Sequence, residues 1–152
     1  MATLLRIQRL NMGDTIDQRF PADRRVKKGG DFDRAYRGRK SAADTFVVVY
    51  AVSNGLARAR LGLSVSRKVG NAVRRNRWKR LLREAFRLSQ GQLPVGMDFI
   101  LIPRPDAEPE LKSLSKSLVK LARIAAKKVA TAENEKRRKG EEEKGRKADE
   151  DD

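Results

Sequence analysis

The chain has 152 residues, 36 Lys and Arg against 20 Asp and Glu, a formal net charge of +16, and neither Cys nor His. One modest core is all that such a length supports; disulfides, zinc–thiolate sites, imidazole acid–base catalysis and His- or Cys-dependent nucleophiles are excluded. So large a positive charge is self-repelling and calls for a polyanionic partner, nucleic acid first and an acidic membrane surface second.

No apolar run approaches the roughly 20 residues that span a bilayer. The opening stretch MATLLRIQRLNMGD is too short and too interrupted for a signal peptide, so a cytoplasmic location is expected. Residues 1–19 show no sustained periodicity and are expected to be a poorly ordered extension, with Met12 as an alternative start. The first predicted element is a short helix over Asp31-Phe32-Asp33-Arg34-Ala35-Tyr36. Gly29 and Gly30 precede it, Phe32, Ala35 and Tyr36 share one face, and Gly38 stops it. Thr45 to Val52 reads as a strand, with Phe46, Val48, Tyr50 and Val52 on one face and Val47, Val49 and Ala51 on the other. After the turn signal Ser53-Asn54-Gly55, residues Ala59 to Ser66 read as a second strand. Leu61, Leu63 and Val65 make its apolar face; Gly62, Ser64 and Ser66 make a face of small residues.

A helix follows from about Asn71, its N-cap, to Leu88, with Trp78, Leu81, Leu82, Ala85 and Phe86 as its buried stripe. Asp98 to Pro103 is a third strand, and Glu110 to about Ala130 a last amphipathic helix. From Thr131 the apolar residues vanish, and the tail is expected to be disordered or a frayed helix end. The order helix, strand, strand, helix, strand, helix predicts an α+β fold, a two-layer sandwich of helices against a small sheet, occupying residues 20–130.

The stretch Arg67 to Arg87 carries the chemistry. Its bases are Arg67, Lys68, Arg74, Arg75, Arg77, Lys79, Arg80, Arg83 and Arg87, and its one acid is Glu84. A merely solvated helix face mixes signs, because Glu–Lys pairs help a helix and like charges hurt it. Arg74, Arg75 and Arg77 also sit in or beside the first turn, where the macrodipole disfavours cations by some tenths of a kcal/mol each. A bound anion would offset that cost, with the N–H groups of Ala72, Val73 and Arg74 joining the side chains in holding phosphates.

The run Arg75-Asn76-Arg77-Trp78-Lys79-Arg80-Leu81-Leu82-Arg83-Glu84, preceded by Lys68-x-Gly70-Asn71-Ala72-Val73, resembles the RNR signature of the bacterial ribonuclease P protein component. Arg60 to Ser66 and Asp31-Phe32-x-x-x-Tyr36 are similar to that family too, over roughly Phe20 to Val129. The resemblance implies a left-handed β-α-β crossover, contrary to the usual hand. It implies a protein subunit of ribonuclease P, an endoribonuclease whose RNA performs the hydrolysis that removes the 5′ leader of precursor tRNA. Arg74, Arg75, Asn76, Arg77, Lys79, Arg80 and Arg83 would contact the catalytic RNA, and Arg67 and Lys68 would touch RNA near the substrate path. Phe32, Tyr36 and Tyr50 match the aromatic positions of a cleft that takes the leader. Mg²⁺ would be the holoenzyme's cofactor, kept mainly by RNA oxygens. The partners would be the catalytic RNA and precursor tRNA, with no membrane and no obligatory protein partner.

From the residues themselves, single strands need aromatic platforms beside positive charge. Tyr36 and Tyr50 suit that role, with Gly62, Ser64 and Ser66 as a floor and Lys68 nearby. Phe32 and Phe46 are equally well explained as core, and Trp78 better so. Two other readings remain: a general RNA-binding protein of ribosomal or assembly-factor type, and a metal nuclease using Asp31, Asp33 or Asp98. Capping and solvation account for those carboxylates.

Overall fold

Residues 22–27 and 29–150 are described by the computed structural model. The expected N-terminal extension, residues 1–19, lies outside them. The elements are α1 (Gly29–Gly38), β1 (Ser41–Ala43), β2 (Val47–Ser53), β3 (Arg60–Leu63), α2 (Ala72–Ser89), β4 (Met97–Pro103) and α3 (Leu111–Glu150). The strands form one mixed sheet in the order β1-β2-β4-β3. β2 is antiparallel to β1 and β4, whereas β3 is parallel to β4, so α2 bridges parallel neighbours.

The period-two pattern of β2 holds: Val47, Val49 and Ala51 are buried in the larger core, and Tyr50 and Val52 join a smaller cluster on the other face. α2 and α3 cover the larger core, through Trp78, Leu82, Ala85 and Phe86 from α2 and Leu114, Leu118, Leu121, Ala122 and Ala125 from α3. α1 covers the other face, where Ala35 and Ile100 are fully buried with Phe32, Tyr36 and Tyr50 packed around them. The expected class and order therefore hold, with helices on both faces and one strand added. β1 is only Ser-Ala-Ala, which carries little strand preference of its own; it is held as an edge strand by pairing with residues 48–50 of β2.

Two expectations are corrected. The second strand stops at Leu63 rather than Ser66, because the chain leaves the sheet to make a 3₁₀ turn at Arg67–Val69 before α2. Ser64 still donates its N–H to the Leu101 carbonyl at 3.0 Å, but Ser66 is exposed and its carbonyl accepts from Val69. Phe46 packs on the larger core rather than on the face of Tyr50, since it precedes β2 in a turn. There the Asp44 carboxylate accepts from the N–H groups of Phe46 and Val47 at 2.8 and 3.0 Å. Burial pushes the Asp44 pKa up, but these bonds, one from Ser117 and the charge of Lys120 outweigh it and hold the carboxyl below its ordinary value. As expected, α1 ends at Gly38, and the residue after it, Arg39, lies in the left-handed region with φ 53°.

The tail, expected to be disordered or a frayed helix end, is helical: α3 continues to Glu150, a helix about 60 Å long at 1.5 Å per residue. The sequence beyond Ala132 explains why. Glu133 and Arg137, Glu135 and Lys139, Glu142 and Arg146, and Glu143 and Lys147 are all Glu-first pairs at i, i+4, the orientation that supports a helix lacking a buried face.

Candidate nucleic-acid interface

α2 begins at a sharp corner. Gly70 has φ 144°, and a Cβ there would lie 2.6 Å from the Arg74 side chain, which folds back over it. Asn71 caps the helix as expected, its Oδ1 accepting the Arg74 N–H at 3.0 Å. That donor is consequently used within the protein, which leaves Ala72 and Val73 with the open N–H groups of the first turn. The Arg74 guanidinium is engaged as well: Nε donates to the Val69 carbonyl at 2.8 Å, Nη2 to the Ala107 carbonyl at 2.9 Å and Nη1 to Glu108 at 3.1 Å. Arg74 is a clamp that fixes the start of α2 to the segment between β4 and α3.

The remaining bases are available. Arg67 and Lys68 are exposed on the 3₁₀ turn, and Asn76, Arg77, Arg80 and Arg83 are exposed along α2. Arg75 and Lys79 flank the buried stripe, on the side away from Arg74 at 100° per residue. Glu84 pairs with Arg87 instead of Arg80; the hydrogen bond from Arg87 holds the Glu84 pKa below its ordinary value. Among the described residues, no carboxylate comes within ion-pair distance of Arg75, Arg77, Lys79, Arg80 or Arg83. Trp78, in the middle of this run, is fully buried core.

On the other side of the sheet, the register places Tyr50 of β2, Ile100 of β4 and Gly62 of β3 in one row under α1. Tyr36 and Tyr50 are half-buried and meet edge to face, ring centroids 5.2 Å apart. Gly62 is not an open floor. A Cβ there would come within 2.5 Å of Ile100 and 3.0 Å of the Phe32 ring, so Phe32 occupies the space that the missing side chain frees. Phe32 is thus a core residue of this face, and the part of the small-residue floor left uncovered is Ser64 and Ser66, with Lys68 exposed beyond them.

A family model described as Ribonuclease P matches residues 20–126. The chain belongs to the ribonuclease P protein family. It is 44% identical over 101 residues to the ribonuclease P protein component of Pelotomaculum thermopropionicum, covering 66% of this chain and 90% of that one. It is 39% identical over 110 residues to the component of Staphylococcus epidermidis, covering 69% of this chain and 95% of that one. The solved RNase P proteins of Staphylococcus aureus (TM-score 0.59, 38% identity, 67% of this chain and 94% of that one) and Thermotoga maritima (TM-score 0.58, 36% identity, 66% and 96%) are similar in fold.

Within this ribonuclease P fold, α1 is latched to the sheet by a polar network that sequence reading missed. The Asp98 side chain is fully buried and accepts from Arg60 Nε at 2.7 Å and Nη2 at 2.6 Å, and from Asn54 Nδ2 at 3.0 Å. Arg34 approaches it at 3.8 Å, and Asp31 at the start of α1 lies 3.6 Å from Arg60. The hydrogen-bonded Asp98 carboxylate holds Arg60 above its ordinary pKa. The available signal was the pairing itself, since Arg60 and Asp98 are cross-strand partners 38 residues apart. This geometry answers the nuclease reading: Asp98 is committed to Arg60 and Asn54. Among the described residues no group of three or more carboxylates converges as a metal site. Nor is any described helix long and apolar enough to cross a membrane.

Proposed function

We propose that this chain is the protein subunit of ribonuclease P, binding the catalytic RNA through α2 and the 5′ leader of precursor tRNA along the α1 face of the sheet. The observation that carries the reading is the unpaired basic face of α2, Arg75 to Arg83, in a chain of this family. Free cations on a rigid, capped helix are positioned to neutralise phosphates at no cost of breaking internal ion pairs. Arg75, Asn76, Arg77, Lys79, Arg80 and Arg83 are the RNA-subunit contacts, with Arg67 and Lys68 leading towards the substrate. Arg74 positions the helix rather than the RNA. On the other face Tyr36 and Tyr50 offer ring edges to bases, and Ser64, Ser66 and Lys68 hold the strand's backbone, while Phe32 supports the tyrosines from below.

The protein contributes binding and charge screening between two RNAs. Mg²⁺ belongs to the holoenzyme and is held by RNA oxygens; no step is assigned to it on this chain. Hydrolysis at the mature 5′ end rests with the RNA, a reading supported by a chain that has no His and no Cys.

The test is cleavage of precursor tRNA with a labelled leader, at low Mg²⁺, by a bacterial ribonuclease P RNA with and without the protein. Added protein is expected to restore cleavage. Arg75→Ala/Arg77→Ala should weaken RNA-subunit binding and lower its salt slope by roughly 0.7–0.9 for each phosphate no longer neutralised. Protein that binds both RNAs yet never stimulates cleavage would place this chain among general RNA-binding proteins. A second expectation separates the surfaces. Tyr50→Ala should weaken binding of leader-bearing substrate by about 1–3 kcal/mol, the worth of one stacked base, and leave affinity for mature tRNA unchanged. Equal losses for both substrates would show that Tyr50 is only a packing residue.

A further inference from the structure

The first half of α3 repeats the anomaly of α2. From Leu111 to Ala132 it contains Lys112, Lys116, Lys120, Arg123, Lys127 and Lys128 and no acid. The first five of these are exposed and fall within roughly 80° of arc, on the side away from the buried stripe, at 100° per residue. Their spacing sets like charges at i, i+4, which opposes helix formation. The same helix beyond Ala132 is built from Glu-first pairs, so this chain uses such pairs where only solvent has to be satisfied and omits them over these roughly six turns. No ion pair is made by Lys112, Lys116, Arg123 or Lys127 among the described residues. Lys120 alone feels a carboxylate, that of Asp44, which is already engaged by Ser117 and two backbone N–H groups.

A second observation gives the stripe a shape. It borders a groove of about 490 Å³ where α3 meets the end of α2, lined by Ser89 and Gln92 on one side and Ser115, Lys116, Val119 and Arg123 on the other. Arg123 is held at its rim, its Nε donating to the Gln92 carbonyl at 3.3 Å. Both helices pack on the same face of the sheet, opposite α1. The stripe is therefore on the same side of the sheet as the basic helix α2 and on the opposite side from α1.

We propose that the Lys112–Lys127 stripe of α3 and its groove form a second binding surface for the phosphate backbone of the same RNA that α2 binds, the catalytic subunit rather than the substrate. This rests on the function proposed above. The test compares the full chain with Lys116→Ala/Arg123→Ala/Lys127→Ala, which spares Lys120 beside Asp44, in binding ribonuclease P RNA across a salt series and in binding a single-stranded leader oligonucleotide. The slope of log K against log salt for the RNA subunit should fall by roughly 2–3, with leader binding and the circular dichroism spectrum unchanged. A charge-preserving control, Arg123→Lys, should keep most of the slope. An unchanged slope for the triple variant, alongside a reduced slope for Arg75→Ala/Arg77→Ala, would mean that α3 is a solvated face. A loss confined to the leader would assign the stripe to substrate and overturn the proposal. If neither set of substitutions alters RNA-subunit binding, it is the reading of α2 that fails.

Discussion

Replacing Asp98 with Ala is expected to cost about 3–5 kcal/mol of folding stability, the usual consequence of stranding one charge of a buried pair. The carboxylate is fully buried and receives three hydrogen bonds within 3.0 Å, two of them from Arg60. Without it, Arg60 keeps only Asp31 at 3.6 Å, and Asn54 keeps one of its two Nδ2 bonds, to the Arg58 carbonyl. Urea denaturation measures the loss. The joint variant Asp98→Leu/Arg60→Met should recover most of it, because removing both partners leaves no buried charge unpaired. A single-variant loss below about 1 kcal/mol would show that water readily replaces the pair. The consequence reaches the leader face: Arg34 and Asp31 on α1 are tied to the same two residues, so α1, and Tyr36 with it, should loosen before the larger core does.

Trp78→Ala should be as damaging, about 3–5 kcal/mol for truncating a fully buried aromatic. It would release the helix that carries Arg75 to Arg83 from the sheet, so RNA-subunit affinity should fall together with stability. Trp78→Phe separates size from polarity. The indole Nε1 is buried without a hydrogen-bond partner among the described residues, so Phe removes an unsatisfied donor while retaining most of the packing. Its expected cost is under about 1.5 kcal/mol, with RNA binding intact. If Phe proved as harmful as Ala, the indole N–H would have to be making a contact that matters. Thermal melts of the free protein and RNA titrations of each variant distinguish these outcomes.

The parts legible in sequence were those written in local patterns. Asn71 as a cap, the buried stripe of α2 and the alternation of β2 are each decided by residues within one or two turns of one another. The RNR run was legible for the same reason, because charges at consecutive helical positions declare that no internal partner awaits them. What escaped was set by distant residues. Arg74 has the same local setting as Arg75, yet its fate is decided by a carbonyl and a carboxylate more than 30 residues downstream. Gly62 looked like an open floor until Phe32, from the preceding helix, filled it. Phe46 changed sides because a turn held by Asp44 precedes the strand and breaks the alternation. The tail was left between disorder and a helix end, because it has no buried face to decide the matter; its charge pairs are spaced to sustain a helix.

The place of β4 in the sheet also governs how the molecule is born. It is the last strand to be synthesised, yet it lies between β2 and β3 and is the only strand that touches both. A nascent chain ending before Met97 holds the hairpin of β1 and β2, a lone β3 and the arginine-rich helix, with nothing to join them. Emergence of its seven residues from the ribosome then joins the two halves of the sheet, and the larger core closes only when α3 follows. The α1 face and the basic helix α2 are therefore built on the same late strand, so a half-made chain presents neither surface in finished form.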